Sequence, residues 1–440
     1  MENKYLQWYP YWKEYKKQLM TADVSFDSEE EFKKRLQTSY NQFDTIDRKK
    51  RQVSIPLTKV GQIGNIFRKE EGTHFYAREG SFAEDNLCRL LVQAEAGYVE
   101  QGLNPLEKIT ASVFPSGMAA ISGVMFGLAM LVPNKERIGK RFLVAENEDI
   151  YSDTNFILYE QMVSLGFDTA QRINLRDENH LAQVLACNPG NIMGIFYEPL
   201  PSPLLNYINT RKIQEIAQHY DVPIIVDNTL LSPYLQQQFR LGADIIIESM
   251  TKYMSSEGDY MGGAVIGPKG FIDWLRLIQK VNGNVMQSPI IADMFAERLL
   301  HLPENMKIYT RNAAEVSNYL QSCSSVEKVY YPDLREETRS GSAGGILSFL
   351  LKGNSEDDKK AREIQLLEYV IKQEATSQGD ADFQYKVSFG EQNTLFFGES
   401  THGALTKAPA GLIRLAVGKN QNGKQIIEFL EKAFTFVYEK

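Results

Sequence analysis

The chain has 440 residues, of which 43% are hydrophobic, and a formal net charge of -8. That length can bury a large core in more than one domain, and the acidic balance leaves no basic footprint for nucleic acid. The three cysteines are widely spaced without a metal-ligand pattern, the start of the chain lacks an apolar signal core, and no apolar run would span a bilayer. These features predict a cytoplasmic protein without a bound metal.

The predicted elements divide the chain into three parts. Residues 1–82 form a charged, aromatic-rich arm, with a helix expected at Glu29–Leu36 and a loop or extended piece at Val53–Gly64. Because this arm has few apolar runs, we expect it to cover a partner surface. Residues 83–302 alternate between strand and helix patterns, and residues 303–440 are predicted to form a smaller α+β domain.

In the middle part, apolar β-branched runs typical of buried parallel strands alternate with helical patterns. The predicted strands are Arg141–Ala145, Ile192–Tyr197, Pro223–Asp227, Asp244–Glu248 and Ala264–Ile266, and the predicted helices are Ala119–Leu131 and Arg211–His219. The last part is predicted to contain helices at Asn312–Ser322 and Asp358–Lys372 and strands at Gly345–Leu350 and Ile413–Val417. The alternation predicts βαβ units, and so an α/β fold with a mostly parallel sheet.

The first chemical motif along the chain is the stretch Phe114-Pro115-Ser116-Gly117-Met118, directly before a predicted helix. Such a helix start offers free N–H groups and the positive end of the helix dipole to an anion. A capped helix without a ligand is the alternative, and this motif alone favours that alternative.

The second motif is a pair of strand ends, the first delivering Asp227 and the second Lys252. Polar residues at the carboxyl ends of parallel strands share one edge of an α/β sheet, where such folds place their chemistry. Burial there lowers the pKa of a lysine and frees its amine to form a Schiff base. Either residue alone could be an ordinary strand-end charge, but Ser249 and Thr251 flank the lysine with hydroxyls suited to a phosphate.

The stretch from Gly242 to Tyr253 resembles the Cys/Met-metabolism family of fold-type I enzymes that use pyridoxal 5'-phosphate (PLP). In that family the lysine lies in a Ser-x-Thr-Lys-Tyr sequence after a Gly-Ala-Asp strand, and members include cystathionine γ-synthase, cystathionine lyases and methionine γ-lyase. The resemblance covers nearly the whole chain beyond about residue 55. It implies the aspartate-aminotransferase-like fold, PLP as cofactor, Lys252 as its Schiff-base lysine, and Asp227 as the partner of the pyridinium nitrogen.

The resemblance assigns further cofactor contacts. The backbone of Gly117 and Met118 would hold the phosphate, assisted by Ser249 and Thr251, and Thr229 joins the cofactor-binding set.

A second group of contacts follows from loop motifs of the family. Tyr151 would stack on the pyridine ring and help transfer protons. Tyr76 and Arg78 look like the family's Tyr-x-Arg, which a neighbouring subunit donates, so the resemblance implies at least a homodimer and favours a homotetramer as a dimer of dimers. Asp153 replaces a usual small residue on the substrate side.

Substrate recognition is implied by the strand Leu412-Ile413-Arg414-Leu415, which resembles the family's Ile-Arg-Leu strand. Its Arg414 would clamp the substrate α-carboxylate, together with Ser388. Val387 stands where synthases and γ-lyases usually have a glutamate.

The sequence therefore predicts a PLP-dependent lyase or transferase of the transsulfuration type, with Lys252, Tyr151 and Tyr76 as catalytic residues. The reaction would be elimination or replacement at the γ- or β-carbon of an O-acyl-homoserine, cystathionine or another sulfur amino acid. One alternative is a specialised γ-replacement with a non-thiol nucleophile, motivated by Asp153, Val387 and Ser202. Another is a PLP-binding pseudoenzyme that serves a partner through its N-terminal arm.

Overall fold

The computed structural model describes residues 8–20, 28–54, 77–97, 105–146, 149–286, 289–339, 341–377, 381–402 and 408–439. Within these ranges no helix is both long and apolar enough to cross a membrane. The predicted catalytic residue Tyr76, and residues 55–64 of the predicted loop, lie outside the described residues.

The larger sheet has seven strands in the order β1-β7-β6-β5-β4-β2-β3. These are β1 (Ile109–Phe114), β2 (Arg141–Val144), β3 (Gln171–Arg172), β4 (Ile192–Tyr197), β5 (Ile224–Asp227), β6 (Ile245–Ser249) and β7 (Gly263–Pro268). The pairings from β6 through β5, β4 and β2 to β3 are parallel, whereas β7 runs antiparallel to both β1 and β6. The predicted α/β fold with a mostly parallel sheet is confirmed.

The smaller sheet has the order β10-β11-β12-β9-β8. Its strands are β8 (Val326–Tyr330), β9 (Ile346–Leu351), β10 (Phe383–Tyr385), β11 (Thr394–Gly398) and β12 (Leu412–Ala416). Only β10 and β11 pair in parallel. The division of the chain at residues 82 and 302 stays a prediction.

Helices pack on both faces of the larger sheet and around the smaller one. In order they are α1 (Trp8–Met20), α2 (Glu29–Ser54), α3 (Phe82–Ala96), α4 (Pro105–Lys108), α5 (Gly117–Leu131), α6 (Thr154–Phe156), α7 (Met162–Ser164), α8 (Glu178–Cys187), α9 (Thr210–Ala217), α10 (Ser232–Leu235), α11 (Gln238–Leu241), α12 (Lys269–Asn282), α13 (Pro289–Leu299), α14 (Leu302–Ser322), α15 (Glu356–Thr376), α16 (Glu399–His402) and α17 (Gly423–Tyr438). A π-helical turn joins α6 to α7. Helix α2 extends well beyond the predicted Glu29–Leu36 and includes Val53, and α14 begins ten residues before the predicted Asn312.

Helix α1 packs against the core of its own chain, and the expectation that residues 1–82 cover a partner surface stays a prediction. Trp8, Trp12, Tyr15 and Leu19 recur at helical spacing and are all buried in the core of their own chain. Trp12 Nε1 also donates a hydrogen bond to Asp244, the residue before β6, at 2.6 Å. Helix α1 is therefore anchored at the edge of the sheet opposite to the ends of β5 and β6.

Candidate active site

Two adjacent parallel strands end at the same edge of the larger sheet. Asp227 is the last residue of β5 and is paired with Ile247 of β6. Thr229 joins the two strand ends: its N–H and hydroxyl donate to Asp227 Oδ1 at 3.1 and 2.5 Å. The Thr229 hydroxyl oxygen in turn accepts from the Ser249 N–H at 2.8 Å. The structure thus brings together three of the predicted residues, Asp227, Thr229 and Ser249.

Asp227 is a buried carboxylic acid with no cationic partner among the described residues. Burial raises the pKa of its carboxyl, opposed only by the hydrogen bonds from Thr229. Both of those bonds end on Oδ1. A nearby cation would stabilise the ionised form of such a group. A protonated pyridine nitrogen is such a cation, so the site fits PLP, whose ring nitrogen pairs with an acidic residue.

Lys252 follows β6 on the same edge and reaches the smaller sheet. Its Nζ donates to Ser388 Oγ at 2.9 Å and lies 4.9 Å from the centre of the Phe389 ring. Burial, followed by the nearby charge of Arg414, lowers the pKa of the Lys252 amine to about 8. At pH 7 roughly a tenth of that amine is then neutral, against well under a hundredth for an ordinary lysine. Lys252 is therefore suited to act as a nucleophile or a base.

The start of α5 packs directly against the end of β6. Ser116 caps the helix by accepting a hydrogen bond from the Ala119 N–H at 3.1 Å. A Cβ added to Gly117 would lie 2.8 Å from Ser249 Cβ, so only glycine allows this close approach. The free N–H groups of a helix start beside a serine hydroxyl form a cradle that a phosphate can occupy.

Two other predicted phosphate contacts have distinct surroundings. Met118 is half-buried and lines a cleft of about 620 Å³ between α5 and the segment from Ser152 to Gln161. Thr251 Oγ1 exchanges hydrogen bonds with the backbone of Gly262, accepting at 3.1 Å and donating at 3.3 Å. The Thr251 hydroxyl therefore ties the residues after β6 to the start of β7.

Tyr151 lies near the same edge, half-exposed, with its hydroxyl donating to Asp153 Oδ2 at 3.1 Å. Its backbone N–H donates to the buried carboxyl of Glu198. Burial, and then the charge of Asp153, raises the pKa of the Tyr151 phenol, whereas Arg414 lowers it. The pKa of Glu198 is also raised, first by burial and then by the charge of Asp227. Tyr151 thus lies close enough to interact with both Asp153 and Arg414.

Arg414, in the middle of β12, is buried beside the Lys252 amine. Its Nη2 donates to the carbonyl oxygen of Val387, while the Val387 side chain is 62% exposed. Glu399 at the start of α16 lies 3.6 Å from Arg414 Nε. Val387 therefore contributes its backbone to the site, and Ser388 and Arg414 meet Lys252 there.

Arg78 is not part of this cluster. It lies in a short 3-10 turn, is exposed, and its Nη1 donates to the carbonyl oxygen of Lys280 at the end of α12, at 3.0 Å. The predicted residues around Lys252 thus come together within one chain, whereas Arg78 lies elsewhere on the surface.

Sequence reasoning missed the roles of Glu198 and Glu399. Both are buried acids that contact predicted site residues, Glu198 through the Tyr151 N–H and Glu399 through Arg414. Glu198 directly follows the predicted strand Ile192–Tyr197, so the rule that strand ends carry polar site residues could have selected it.

A pair of buried carboxyls lies behind the strand ends. Glu95 of α3 accepts hydrogen bonds from Asn228 Nδ2 at 3.1 Å and from the Gln238 N–H at 3.2 Å. Burial raises the pKa of Glu95 to about 7, and that of its hydrogen-bonded neighbour Glu248 well above the usual range. Both carboxyls are fully buried, and burial favours their protonated, uncharged form.

Comparisons with known proteins agree with this geometry. Residues 41–435 match the model of the family described as Cys/Met metabolism PLP-dependent enzyme. The chain is 27% identical over 311 residues to a cystathionine gamma-lyase of Bacillus subtilis, covering 69% of this chain and 75% of that protein. It is 27% identical over 393 residues to an L-methionine gamma-lyase of Fusobacterium nucleatum, covering 84% and 88%.

The fold is also that of a solved structure. A cystathionine gamma synthase from Xanthomonas oryzae pv. oryzae, in complex with cystathionine, superposes with a TM-score of 0.74 at 22% identity, covering 92% of this chain and 98% of that one. This likeness confirms the predicted fold-type I architecture.

Proposed function

Because the chain belongs to the Cys/Met-metabolism family of PLP-dependent enzymes, we propose that it catalyses elimination or replacement at the γ- or β-carbon of an amino acid. The substrate class is an O-acyl-homoserine, cystathionine or another sulfur amino acid. Curated relatives act as lyases on cystathionine and methionine, as their names state.

This proposal rests on the position of Lys252, which follows β6 of the larger sheet and lies beside Arg414 of the smaller sheet. Its amine, with a pKa of about 8, is hydrogen-bonded to Ser388 and interacts with Arg414, while Asp227 ends the neighbouring strand. A nucleophilic amine, a carboxylate-binding arginine and a buried acid for a pyridinium are the groups that PLP chemistry on an amino acid requires.

Each cofactor contact has a candidate residue. Lys252 would hold PLP covalently, Asp227 would pair with its ring nitrogen, and Tyr151 would stack on its ring. The N–H groups of Gly117 and Met118, with Ser249 and Thr251, would hold the phosphate; Thr229 acts through Asp227. When bound, PLP supplies an electron sink for charge that develops at the substrate Cα.

The remaining steps belong to the side chains around the substrate. Arg414 and Ser388 bind its α-carboxylate and so orient its Cα–H bond toward Lys252. Once released from the cofactor, the Lys252 amine accepts the Cα proton, because its lowered pKa leaves part of it neutral at pH 7. Tyr151, or a Tyr76 from another copy, would assist proton transfer to the leaving group.

Steady-state assays of the purified protein test this proposal. With PLP present, O-succinylhomoserine, O-acetylhomoserine, cystathionine, methionine and cysteine are supplied in turn, and keto acid and thiol products are measured. Turnover of at least one of these, abolished by Lys252→Ala, is the expected result. A PLP-loaded protein that turns over none of them would contradict the proposed reaction and favour a pseudoenzyme.

A second candidate reaction is γ-replacement with a non-thiol nucleophile. Asp153 favours this reaction. Its carboxylate accepts a hydrogen bond from the Tyr151 hydroxyl on the exposed side of the site and would attract a cationic amine more than a thiolate. Competition between a thiol and an amine acceptor distinguishes the two reactions, because a strong preference for the thiol argues against this one.

We further propose that the enzyme is a homo-oligomer in which Arg78 serves the site of a neighbouring copy. The position of Arg78 beside Lys280, away from Lys252 of its own chain, supports this proposal. A dimer is the minimum assembly, and a tetramer built as a dimer of dimers is expected.

A further inference from the structure

The buried acid Glu399 faces the proposed carboxylate-binding arginine. Its Oε1 lies 3.6 Å from Arg414 Nε, and the two side chains are only 8% and 11% exposed. The strand register explains this position: Phe397 of β11 is paired with Arg414 of β12. β11 ends at Gly398, which is paired with Ile413, so Glu399 begins α16 directly beside the strand that carries the arginine.

Apart from Glu399 and the cationic amine of Lys252, the surroundings of Arg414 are neutral or weakly acidic. Nη2 donates to the Val387 carbonyl oxygen, Nε has no hydrogen-bond partner, and the Phe397 ring centre lies 5.1 Å away. The other acidic groups that interact with the guanidinium are the phenols of Tyr151 and Tyr253. Within the described residues, Glu399 is therefore the carboxylate that balances the charge of this arginine.

A second buried acid near Glu399 is already engaged elsewhere. Glu363 of α15 accepts hydrogen bonds from the N–H and hydroxyl of Ser400 and from the N–H of Gly411. Glu363 thus holds the chain on both sides of residues 401–410, and its charge adds to the negative potential at Glu399. Burial is the largest cause that raises the pKa of the Glu399 carboxyl, and Arg414 opposes it.

We propose that Glu399 is a positioning residue that competes with the substrate α-carboxylate for Arg414, so that binding of the substrate is coupled to uptake of one proton by Glu399. The inference rests on the proposed role of Arg414. Before the substrate binds, Glu399 compensates the buried guanidinium, whose charge would otherwise be costly to bury. When a second carboxylate arrives, two anions share one cation, which favours the protonated form of Glu399.

Two probes isolate this coupling in the PLP-loaded full chain. L-Norvaline carries an α-carboxylate and no leaving group, and n-butylamine carries the amine alone. Their dissociation constants are measured from the absorbance change of bound PLP between pH 6 and 8.5. The dissociation constant of norvaline is then divided by that of butylamine, so that the titrations of the amine and the cofactor, which affect both ligands, cancel in this ratio. In the wild type this ratio should rise with pH, approaching about tenfold per pH unit where Glu399 titrates.

The variant Glu399→Gln should make the ratio independent of pH within about twofold and tighten norvaline binding at pH 8.5. Glu327→Gln is the matched control, because it removes a carboxylate from β8 of the same sheet, where it pairs with Lys359. This control should keep the wild-type slope.

If the ratio in Glu399→Gln changes with pH as much as it does in the wild type, the proposed coupling is wrong and Glu399 has only a structural role. The proposed role of Arg414 is tested separately by Arg414→Gln. If that variant does not raise the norvaline to butylamine ratio, Arg414 does not bind the carboxylate, and both proposals fail. A wild type whose absorbance responds to neither ligand would refute the proposed function itself.

Discussion

Replacing Lys16 with Met is expected to destabilise the protein by about 3 kcal/mol, because it leaves a buried carboxylate without its cation. The Lys16 and Asp244 side chains are 6% and 0% exposed, and Lys16 Nζ lies 2.7 Å from Asp244 Oδ1. Trp12 Nε1 donates to the same oxygen, and the Ile224 N–H donates to Oδ2 at 2.7 Å. This cluster fixes α1 to the starts of β5 and β6.

The magnitude follows from what remains after the change. Removing one partner of a buried ion pair typically costs about 3–5 kcal/mol. In Lys16→Met the hydrogen bonds from Trp12 Nε1 and the Ile224 N–H to Asp244 remain. The Met side chain also keeps much of the apolar packing of the lysine stem, so the lower end of that range is expected. Burial also lowers the pKa of Lys16, so the cost arises from the stranded carboxylate rather than from a strongly favourable pair.

Urea unfolding followed by tryptophan fluorescence measures this cost. The chain has three tryptophans, so in a Trp274→Phe background the signal comes from Trp8 and Trp12 of α1. With a slope of about 3 kcal/mol/M, the midpoint should fall by about 1 M in urea. Lys17→Met is the matched control: that lysine is 72% exposed and pairs with an equally exposed Glu14, so its replacement should leave the midpoint nearly unchanged.

Equal midpoints for the Lys16 and Lys17 variants would show that the buried ion pair does not stabilise the fold. They would mean that water reaches Asp244 once the lysine is removed.

Three further predictions concern the site and its surroundings. The wild type should lose stability as pH rises from about 4.5 to about 7, because the folded state holds the pKa of Glu95 near 7 and so favours its protonated form. Urea titrations at several pH values should show a smaller loss of stability in Glu95→Gln. An equal loss in both proteins would show that Glu95 does not cause it. Arg78→Ala and Lys252→Ala should each be inactive. If Arg78 acts in the site of the neighbouring copy, an equimolar mixture of the two variants should recover about a quarter of the wild-type activity after subunit exchange. A mixture that has exchanged subunits and stays inactive argues against a role of Arg78 in the neighbouring site. Gly117→Ala should weaken PLP binding by about tenfold or more, because the new Cβ meets Ser249 at 2.8 Å, and unchanged affinity in a cofactor titration would remove Gly117 from the cradle.

Local patterns predicted much of the large sheet. The strand Ile192–Tyr197 was predicted with its observed bounds, and Asp227 and Lys252 lie at one edge as expected, because buried parallel strands have a distinctive apolar pattern and an abrupt polar end. The helical spacing of Trp8, Trp12 and Tyr15 could have predicted that one face of α1 is buried in the chain's own core.

What the sequence could not provide depends on pairing between distant segments. Glu399 meets Arg414 only because β11 and β12 pair in one register, which no local pattern specifies. Likewise, the hydroxyl of Thr251 contacts Gly262 because the chain returns through β7, and Arg78 approaches Lys280 across about 200 residues of sequence.

Locating PLP on the chain tests whether Lys252 holds the cofactor. The purified protein is incubated with PLP, reduced with sodium borohydride and digested, and the peptides are analysed by mass spectrometry alongside the visible spectrum before reduction. We expect a yellow protein in which one peptide, the one that contains Lys252, carries the reduced pyridoxyl phosphate. A protein that stays colourless with added PLP, or whose label lies on other lysines and persists in Lys252→Ala, would contradict this role of Lys252.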